Sequence, residues 1–410
     1  MRRRDDCRLC ASKNLNLVFS LTPTPPANAF VPASDIKETQ ATFPLDLYFC
    51  RACAHLQLLD IVDPSTLFEN YVYVSGTSPV FVSHFKAYAE DLLCRFELKP
   101  GALIIDIGSN DGTLLRFFKD ARMRTLGVDP AKNIAAAANK AGIETLAGFF
   151  TPDLSRQIKR RHGEAAAVTA NNVFAHADDL KGIALGVREL LAPDGVFVFE
   201  VSYLADVISK TLFDTIYHEH LAYHSVKPLQ AFFKAAGLDL IEAVAVDSHG
   251  GSLRAMAQKA GGPRKAGKSV SELIRREEQM GLDKPETFKK FAQDIDARKN
   301  ELLKLLRGLK SSGKHIAGFG APAKATTLMH HFGLGRDLVD FIVDDSPLKQ
   351  GLFTPGHHIP VLSSQAIAER KPDVLLILAW NFASSIIEKN KAFAQAGGRF
   401  VIPLPKVELR

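Results

Sequence analysis

Nothing in these 410 residues is long and apolar enough to cross a bilayer, which takes about 20 predominantly apolar residues in a row, so no membrane-spanning part is expected. Three arginines follow Met1, yet no apolar stretch separates them from Cys7. The positive start of an export signal therefore lacks its hydrophobic core, and a cytoplasmic protein is expected. Charge of one sign is scarce as well: 51 Lys and Arg face 45 Asp and Glu, and the excess of +6 is scattered along the chain. A nucleic-acid footprint needs a concentrated basic face, so none is expected, whereas a phosphorylated small substrate remains compatible. With 46% hydrophobic and 23% charged residues the composition is globular, and the length exceeds what one core ordinarily supports, so two or three domains are expected.

Cysteine is sparse, with five in all, and its placement is the first positive signal. Cys7-Arg-Leu-Cys10 and Cys50-Arg-Ala-Cys53 form two Cys-x2-Cys pairs. In a reducing compartment such spacing favours metal over disulfide, because each pair can form a knuckle that offers two thiolates to a tetrahedral zinc. Packed or redox-active cysteines are the competing reading. Residues 1–70 are expected to be a small module that needs this staple, with the proline-rich Leu21-Thr-Pro-Thr-Pro-Pro-Ala-Asn28 marking the stretch between the pairs as a loop held at both ends. Cys94 has no partner and is expected to be buried in a helix.

From Phe81 to Phe96 an amphipathic helix leads into the apolar strand Ala102 to Ile107. Strand-like runs at Thr125–Val128, Ala165–Ala170 and Val196–Val201 then alternate with helical patterns at Pro130–Lys140 and Asp178–Leu191. This alternation predicts a doubly wound α/β domain over residues 71–245, with its ligand at the carboxyl ends of the strands. After the first strand, Gly108 and Gly112 let backbone approach a ligand, while Asn110, Asp111 and Thr113 supply polar contacts and a helix cap. The spacing is Gly-x3-Gly, so the pyrophosphate clamp of nicotinamide enzymes is not spelled out. Asp129 ends the next strand, 21 residues beyond Gly108, where a carboxylate can accept both hydroxyls of a ribose. The combination suits S-adenosylmethionine, with Asp106 and Asp129 as plain strand-end caps the alternative.

Two further strand ends face the expected cleft, Asn171-Asn-Val-Phe-Ala-His176 and Glu200-Val-Ser-Tyr203. The densest polar cluster follows: Tyr217-His-Glu-His-Leu-Ala-Tyr-His224 packs three imidazoles, a carboxylate and two phenols into eight positions. Its spacing is not the His-Glu-x2-His of a zinc hydrolase. Beyond it, a charged helical run from Ser269 to Lys310 reads as a scaffold helix pair. A second strand-turn-helix at His315–Lys324, with strands at Asp340–Asp344 and Asp373–Ala379, predicts another Rossmann-like unit over residues 246–410. Gly318, Gly320 and Ala323 imitate a dinucleotide fingerprint with Asp344 at the next strand end, so an NAD site competes here with a diphosphate clasp built on Pro322 and Lys324. The loops Pro355–Pro360 and Trp380-Asn381 lie near the same edge.

Taken together, the two cysteine pairs, Asn70-Tyr-Val-Tyr-Val-Ser-Gly-Thr-Ser78, Ile107-Gly-Ser-Asn-Asp-Gly-Thr113, Asn171–His176, Tyr217-His-Glu-His220 and Gly318–Lys324 resemble the S-adenosylmethionine-dependent sugar C-methyltransferases that act on nucleotide-linked 4-keto-deoxy sugars. The resemblance runs over the whole chain. It implies a monomer with a zinc-binding N-terminal module, a class I methyltransferase sheet, and a C-terminal Rossmann-like domain that helps enclose the sugar nucleotide without binding nicotinamide. It also implies His220 as the base, Tyr217 and His176 as contacts to the sugar or the enolate oxygen, Glu219 as the residue that orients them, and Tyr71, Tyr73 and Ser75 as cover for the amino-acid end of the cofactor. Asn171 joins Gly108, Asn110, Asp111, Gly112 and Asp129 on the cofactor side.

The chemistry itself makes demands that these residues meet. A carbon–carbon bond from a methyl sulfonium needs a carbon nucleophile, and removing a proton beside a ketone supplies one if a base and an oxyanion donor are in reach. The expectation is methylation next to the C4 ketone of a nucleotide-linked 4-keto-deoxyhexose, at C3 rather than C5. Two rivals stand beside it: an NAD-dependent oxidoreductase using the Gly318–Ala323 turn, and a zinc-ribbon interaction protein with vestigial cofactor folds.

Overall fold

Alternating apolar residues build the first sheet. In the computed structural model, which describes all residues except 69–75, 77–78 and 249, the strand Leu15–Thr24 pairs antiparallel with Phe43–Cys50, and this with Leu56–Leu58. Phe19, Leu21, Leu45, Leu47 and Phe49 are buried along it. The stretch between the cysteine pairs is therefore a hairpin rather than a loop; only residues 25–42 connect its strands, and Pro23 sits at the register shift between Leu21 and Thr24, where a strand tolerates a missing donor. A fourth strand, Ala222–Tyr223, comes from much later in the chain and adds to the edge at Leu56–Leu58.

The four paired cysteines meet at the end of this sheet. Each pair closes the same knuckle: Ala11 and Ala54, both at positive φ, donate their N–H groups to the carbonyls of Cys7 and Cys50 at 2.8 Å. Cys7 and Cys53 sulfurs lie 3.6 Å apart, Cys10 and Cys50 sulfurs 3.5 Å, and all four fall within 4.8 Å of one another. A zinc with sulfurs at 2.3 Å would hold them about 3.8 Å apart, so the donor set fits a tetrahedral ion. Cys94 sits on the helix Pro79–Arg95 as expected but is exposed, because it lies off the apolar stripe of Phe85, Tyr88, Ala89 and Leu92.

The central sheet has seven strands in the order Leu238–Val246, Ser252–Lys259, Leu191–Ser202, Ala165–Asn171, Leu103–Ile107, Arg124–Asp129, Thr145–Ala147. The last five run parallel, and Ser252–Lys259 is antiparallel to both of its neighbours. Helices Thr113–Asp120, Lys132–Lys140, Pro152–His162 and Leu180–Leu190 cover it. Leu103–Ile107 is buried at every position, as a parallel strand covered on both faces must be. The expected division after residue 245 falls inside the terminal hairpin, since Ser252–Lys259 completes this sheet.

After helices Lys268–Gln279 and Pro285–Ser311 comes a six-stranded sheet in the order Val361–Leu362, Phe341–Val343, Ile316–Phe319, Val374–Ile377, Arg399–Ile402, Glu408–Leu409, parallel except for its last strand. The long helix docks on the first sheet, with Phe288 against Phe49 and Phe291 against Phe19 at ring separations of 5.5 and 5.7 Å. One apolar core runs through these three sheets, and a two-stranded ribbon of Arg2–Arg3 with Asp60–Ile61 lies beside them.

Phe288 is fully buried, and Phe288→Ala is expected to cost about 3–5 kcal/mol in urea denaturation. Elemental analysis should find one zinc per chain, and Cys50→Ser should expose the N-terminal sheet to proteolysis; a zinc-free protein of unchanged stability would refute the metal site.

Candidate active site

The carboxyl end of Leu103–Ile107 turns sharply. Gly108 and Gly112 both adopt positive φ, at 69° and 77°, and a side chain on Gly108 would meet Val173 at 2.2 Å. Only glycine fits there. Asp129 ties the turn down: its Oδ2 accepts the Asn110 N–H at 2.8 Å and its Oδ1 the Ala131 N–H at 2.9 Å. Burial pushes this carboxyl up, while those two N–H groups pull it down. Gly112 occupies the helix cap itself, and Asp111 does the capping from one residue back, accepting the Thr113 N–H at 3.2 Å and hydroxyl at 2.6 Å and, on its other oxygen, the Gly76 N–H at 3.1 Å. Behind the turn, Asp106 accepts from the Thr169 hydroxyl at 2.6 Å, and burial pushes its carboxyl up to about 7. Across from it, both polar atoms of the Asn171 amide are buried, next to the Tyr88 hydroxyl. A turn with positive φ at both glycines, a carboxylate at the next strand end and a buried amide suit the polar adenosyl portion of S-adenosylmethionine.

Val173, which fills the space over Gly108, belongs to the loop that carries His176. That loop is stitched to the next polar segment, since Leu221 and Ala222 both donate to the Ala175 carbonyl, at 2.8 and 3.1 Å. His176, Tyr217 and His220 are brought together as a result: the His176 and His220 rings lie 4.8 Å apart, the Tyr217 and His220 rings 4.2 Å. These three keep partial exposure. Their neighbours His218, Glu219 and His224 are sealed.

The ring form of His220 follows from its partners. Nδ1 lies 2.7 Å from the Thr215 carbonyl, which can only accept, so Nδ1 carries the proton. Nε2 is left with a lone pair, to which the Tyr217 hydroxyl donates at 3.0 Å. Burial pushes the His220 imidazole down to about 4, partly offset by the bond to Thr215, so the ring is neutral near pH 7. A neutral imidazole with an unprotonated Nε2 can take a proton from a carbon acid.

The sealed residues do structural work. His218 donates from Nε2 to the Phe43 carbonyl at 3.2 Å, and His224 from Nε2 to that of Phe174 at 3.1 Å while its ring stacks on His55. Glu219 accepts from the Asn28 amide at 2.9 Å, which fixes the proline-rich loop of the first unit against the site.

From the third unit, the helix Ala323–Phe332 points its first turn at the same segment. Lys324 was expected as part of a diphosphate clasp, but its ammonium is turned inward, 3.7 Å from Asp214 Oδ2 and 4.0 Å from the centre of the Trp380 ring. Trp380 donates its indole N–H to the same carboxylate at 2.6 Å rather than opening toward a ligand. Nor is the mouth of the Gly318–Lys324 turn open to a dinucleotide. Thr326 donates to the Ala27 carbonyl at 2.9 Å, and the small pocket there, lined by Phe30, Pro322, His330, Pro355 and His357, has a volume of only about 10 Å³.

Tyr71, Tyr73 and Ser75 lie outside the described residues. Asn28, Asp214, Thr215 and Thr327 were not singled out from the sequence; Thr215 acts through its backbone carbonyl, which no side-chain motif can announce.

Comparison with known proteins agrees with this architecture. Residues 7–68 match a model described as a putative zinc binding domain, 81–243 a methyltransferase domain, and 247–405 a C-methyltransferase C-terminal domain. The chain is 36% identical to the C-methyltransferase NovU of Streptomyces niveus, over 98% of its own length and 96% of NovU. Solved structures show weaker likeness. An S-adenosylmethionine-dependent methyltransferase from Clostridium acetobutylicum is 14% identical with a TM-score of 0.36, covering 44% of this chain and 92% of that one. Magnesium protoporphyrin IX methyltransferase (ChlM) from Synechocystis, with bound SAH, is 16% identical with a TM-score of 0.34, over 44% and 83%. With all three parts matched in order along one chain, and a relative of that activity aligned from end to end, the protein belongs to the S-adenosylmethionine-dependent C-methyltransferase family.

Proposed function

We propose that the protein methylates the carbon beside the C4 ketone of a nucleotide-linked 4-keto-deoxyhexose, at C3 rather than C5, with His220 as the base. The observation that carries this reading is the ring form of His220, whose Nε2 lone pair meets the Tyr217 hydroxyl beside the His176 ring. S-adenosylmethionine supplies the electrophilic methyl group. The chain would hold it through the Gly108–Gly112 turn and the Asn171 amide, with Asp129 accepting the ribose hydroxyls and with Tyr71 and Ser75 covering its amino-acid end.

In this reading the sugar ring lies against His176 and Tyr217. His220 Nε2 takes the proton from C3, and the Tyr217 hydroxyl, released from Nε2, donates to the C4 oxygen as negative charge grows there. Nδ1 stays bonded to the Thr215 carbonyl, which favours the cation formed on His220. Glu219, held by Asn28, acts at one remove by fixing the segment that carries both residues. The protein is read as a cytoplasmic monomer that works without nucleic acid or membrane.

The direct test is carbon-acid exchange. Incubated in deuterium oxide with a nucleotide 4-keto-deoxyhexose and no methyl donor, the enzyme should introduce deuterium at C3; exchange confined to C5 would move the site of methylation, and none at all would remove the mechanism. His220→Gln should lower methyl transfer by about 10²–10⁴-fold with unchanged affinity for S-adenosylmethionine, and full activity in this variant would discard the base. Asp129→Ala should raise the Kd for S-adenosylmethionine by about ten- to a hundredfold in calorimetry, the loss expected for hydrogen bonds to a charged acceptor.

The acid limb should be unusual. The base is active when unprotonated, and its folded value is about 4, so the rate per folded molecule should hold through pH 6 and fall only near pH 4. Stability should move in the opposite way to that plateau. His55, His218, His220 and His224 are all depressed by burial from an ordinary 6.5 and bind protons more readily when unfolded, so the fold loses stability as pH drops from about 6.5 toward 4.

A further inference from the structure

We infer that the helix Ala323–Phe332 of the third unit positions the proposed base, by holding the Thr215 carbonyl where it fixes the ring form of His220. The inference rests on the reading of His220 given above. Three residues around Thr215 are gripped by this helix or its unit. Phe213 stacks on Phe332 at 5.0 Å and 24°. Asp214 receives the Trp380 indole N–H at 2.6 Å and the Lys324 ammonium at 3.7 Å. Ile216 gives its carbonyl to the Thr327 hydroxyl at 2.8 Å. Thr215 is thus clamped on both sides, and its carbonyl is left to meet Nδ1 of His220 at 2.7 Å.

The chemistry of the clamp argues for placement rather than adhesion. The Asp214 side chain is fully buried, and its Oδ1 finds no hydrogen-bond partner among the described residues. Burial pushes the Asp214 carboxyl up and the Lys324 ammonium down, and each is only partly rescued by the other. A buried pair of this kind is a poor way to glue two units together, since an apolar pair of the same volume often does so at least as well. What it offers is direction: the carboxylate has one place to lie, between an indole N–H and an ammonium, and the backbone next to it is fixed accordingly. The same helix braces the other flank, because Thr326 holds the Ala27 carbonyl and the adjoining Asn28 holds Glu219.

Nitrogen NMR of protein labelled with ¹⁵N-histidine reads the ring form directly, with the His220 signals assigned by their loss in His220→Gln. Thr327→Val keeps the side-chain volume and removes the hydroxyl on Ile216. It should shift the ratio of the two neutral ring forms of His220 by about fivefold toward Nε2–H, the size that one hydrogen bond carries, with zinc content and S-adenosylmethionine affinity unchanged. Thr327→Ser should restore the original form. The double variant Asp214→Asn/Lys324→Met, which removes both charges so that neither is stranded, should shift it in the same direction. Folded Thr327→Val and double variants that keep the original ring form would overturn the inference, as would a Thr327→Ser protein as altered as the valine variant. The ring form is read without substrate, so it tests the clamp alone. Full methyl transfer in His220→Gln, together with a shifted ring form in Thr327→Val, would leave the clamp standing and remove His220 as the base, which separates failure of one reading from failure of the other.

Discussion

Confinement of one segment, Phe213 to His224, between three separately built sheets is the constraint on which the rest of this structure depends. The first unit supplies Phe43 and Asn28 to His218 and Glu219, the central unit supplies Ala175 and Phe174 to Leu221 and His224, and the third supplies Lys324, Trp380 and Thr327 to Asp214 and Ile216. No single sheet encloses the segment. A polar run with three imidazoles is costly to bury without partners, and the walls give the Nε2 of His218 and of His224 a backbone carbonyl each, although the Nδ1 of both rings has no hydrogen-bond partner among the described residues.

Burial also sets the electrostatics. Desolvation keeps the His220 imidazole uncharged near neutral pH while the Thr215 carbonyl holds its Nδ1–H, and this is the form that the base proposed above requires. Tyr217 and His220, the two half-buried members of the motif, are three residues apart, and the sealed His218 and Glu219 between them anchor the backbone that carries both.

Much of this was legible in the sequence because its signals were local. The Cys-x2-Cys spacing fixes a knuckle within five residues, and the apolar run Leu103–Ile107 followed by two glycines fixes a strand and its turn. The cluster Tyr217–His220 declared itself by composition. What stayed hidden depends on distant chain. Ala222–Tyr223 is too short to show a period, so its membership in the first sheet has no local signature. The strand Leu15–Thr24 was obscured because Pro23 and the two prolines just beyond its end read as a loop, although its apolar alternation was present. Lys324 looked like a phosphate ligand from its place beside a glycine turn, and only the buried carboxylate of Asp214, 110 residues earlier, turns it inward.

The borrowed strand Ala222–Tyr223 has a consequence for how the molecule is made. Synthesis proceeds from the amino end, so the module with the cysteine knuckles emerges long before the piece that covers its edge at Leu56–Leu58. Until residue 223 has left the ribosome, that edge offers unpaired backbone groups to any passing strand, and a neighbouring nascent chain could take the vacant place. Metal capture by the knuckles would give the early module a fixed shape during this interval.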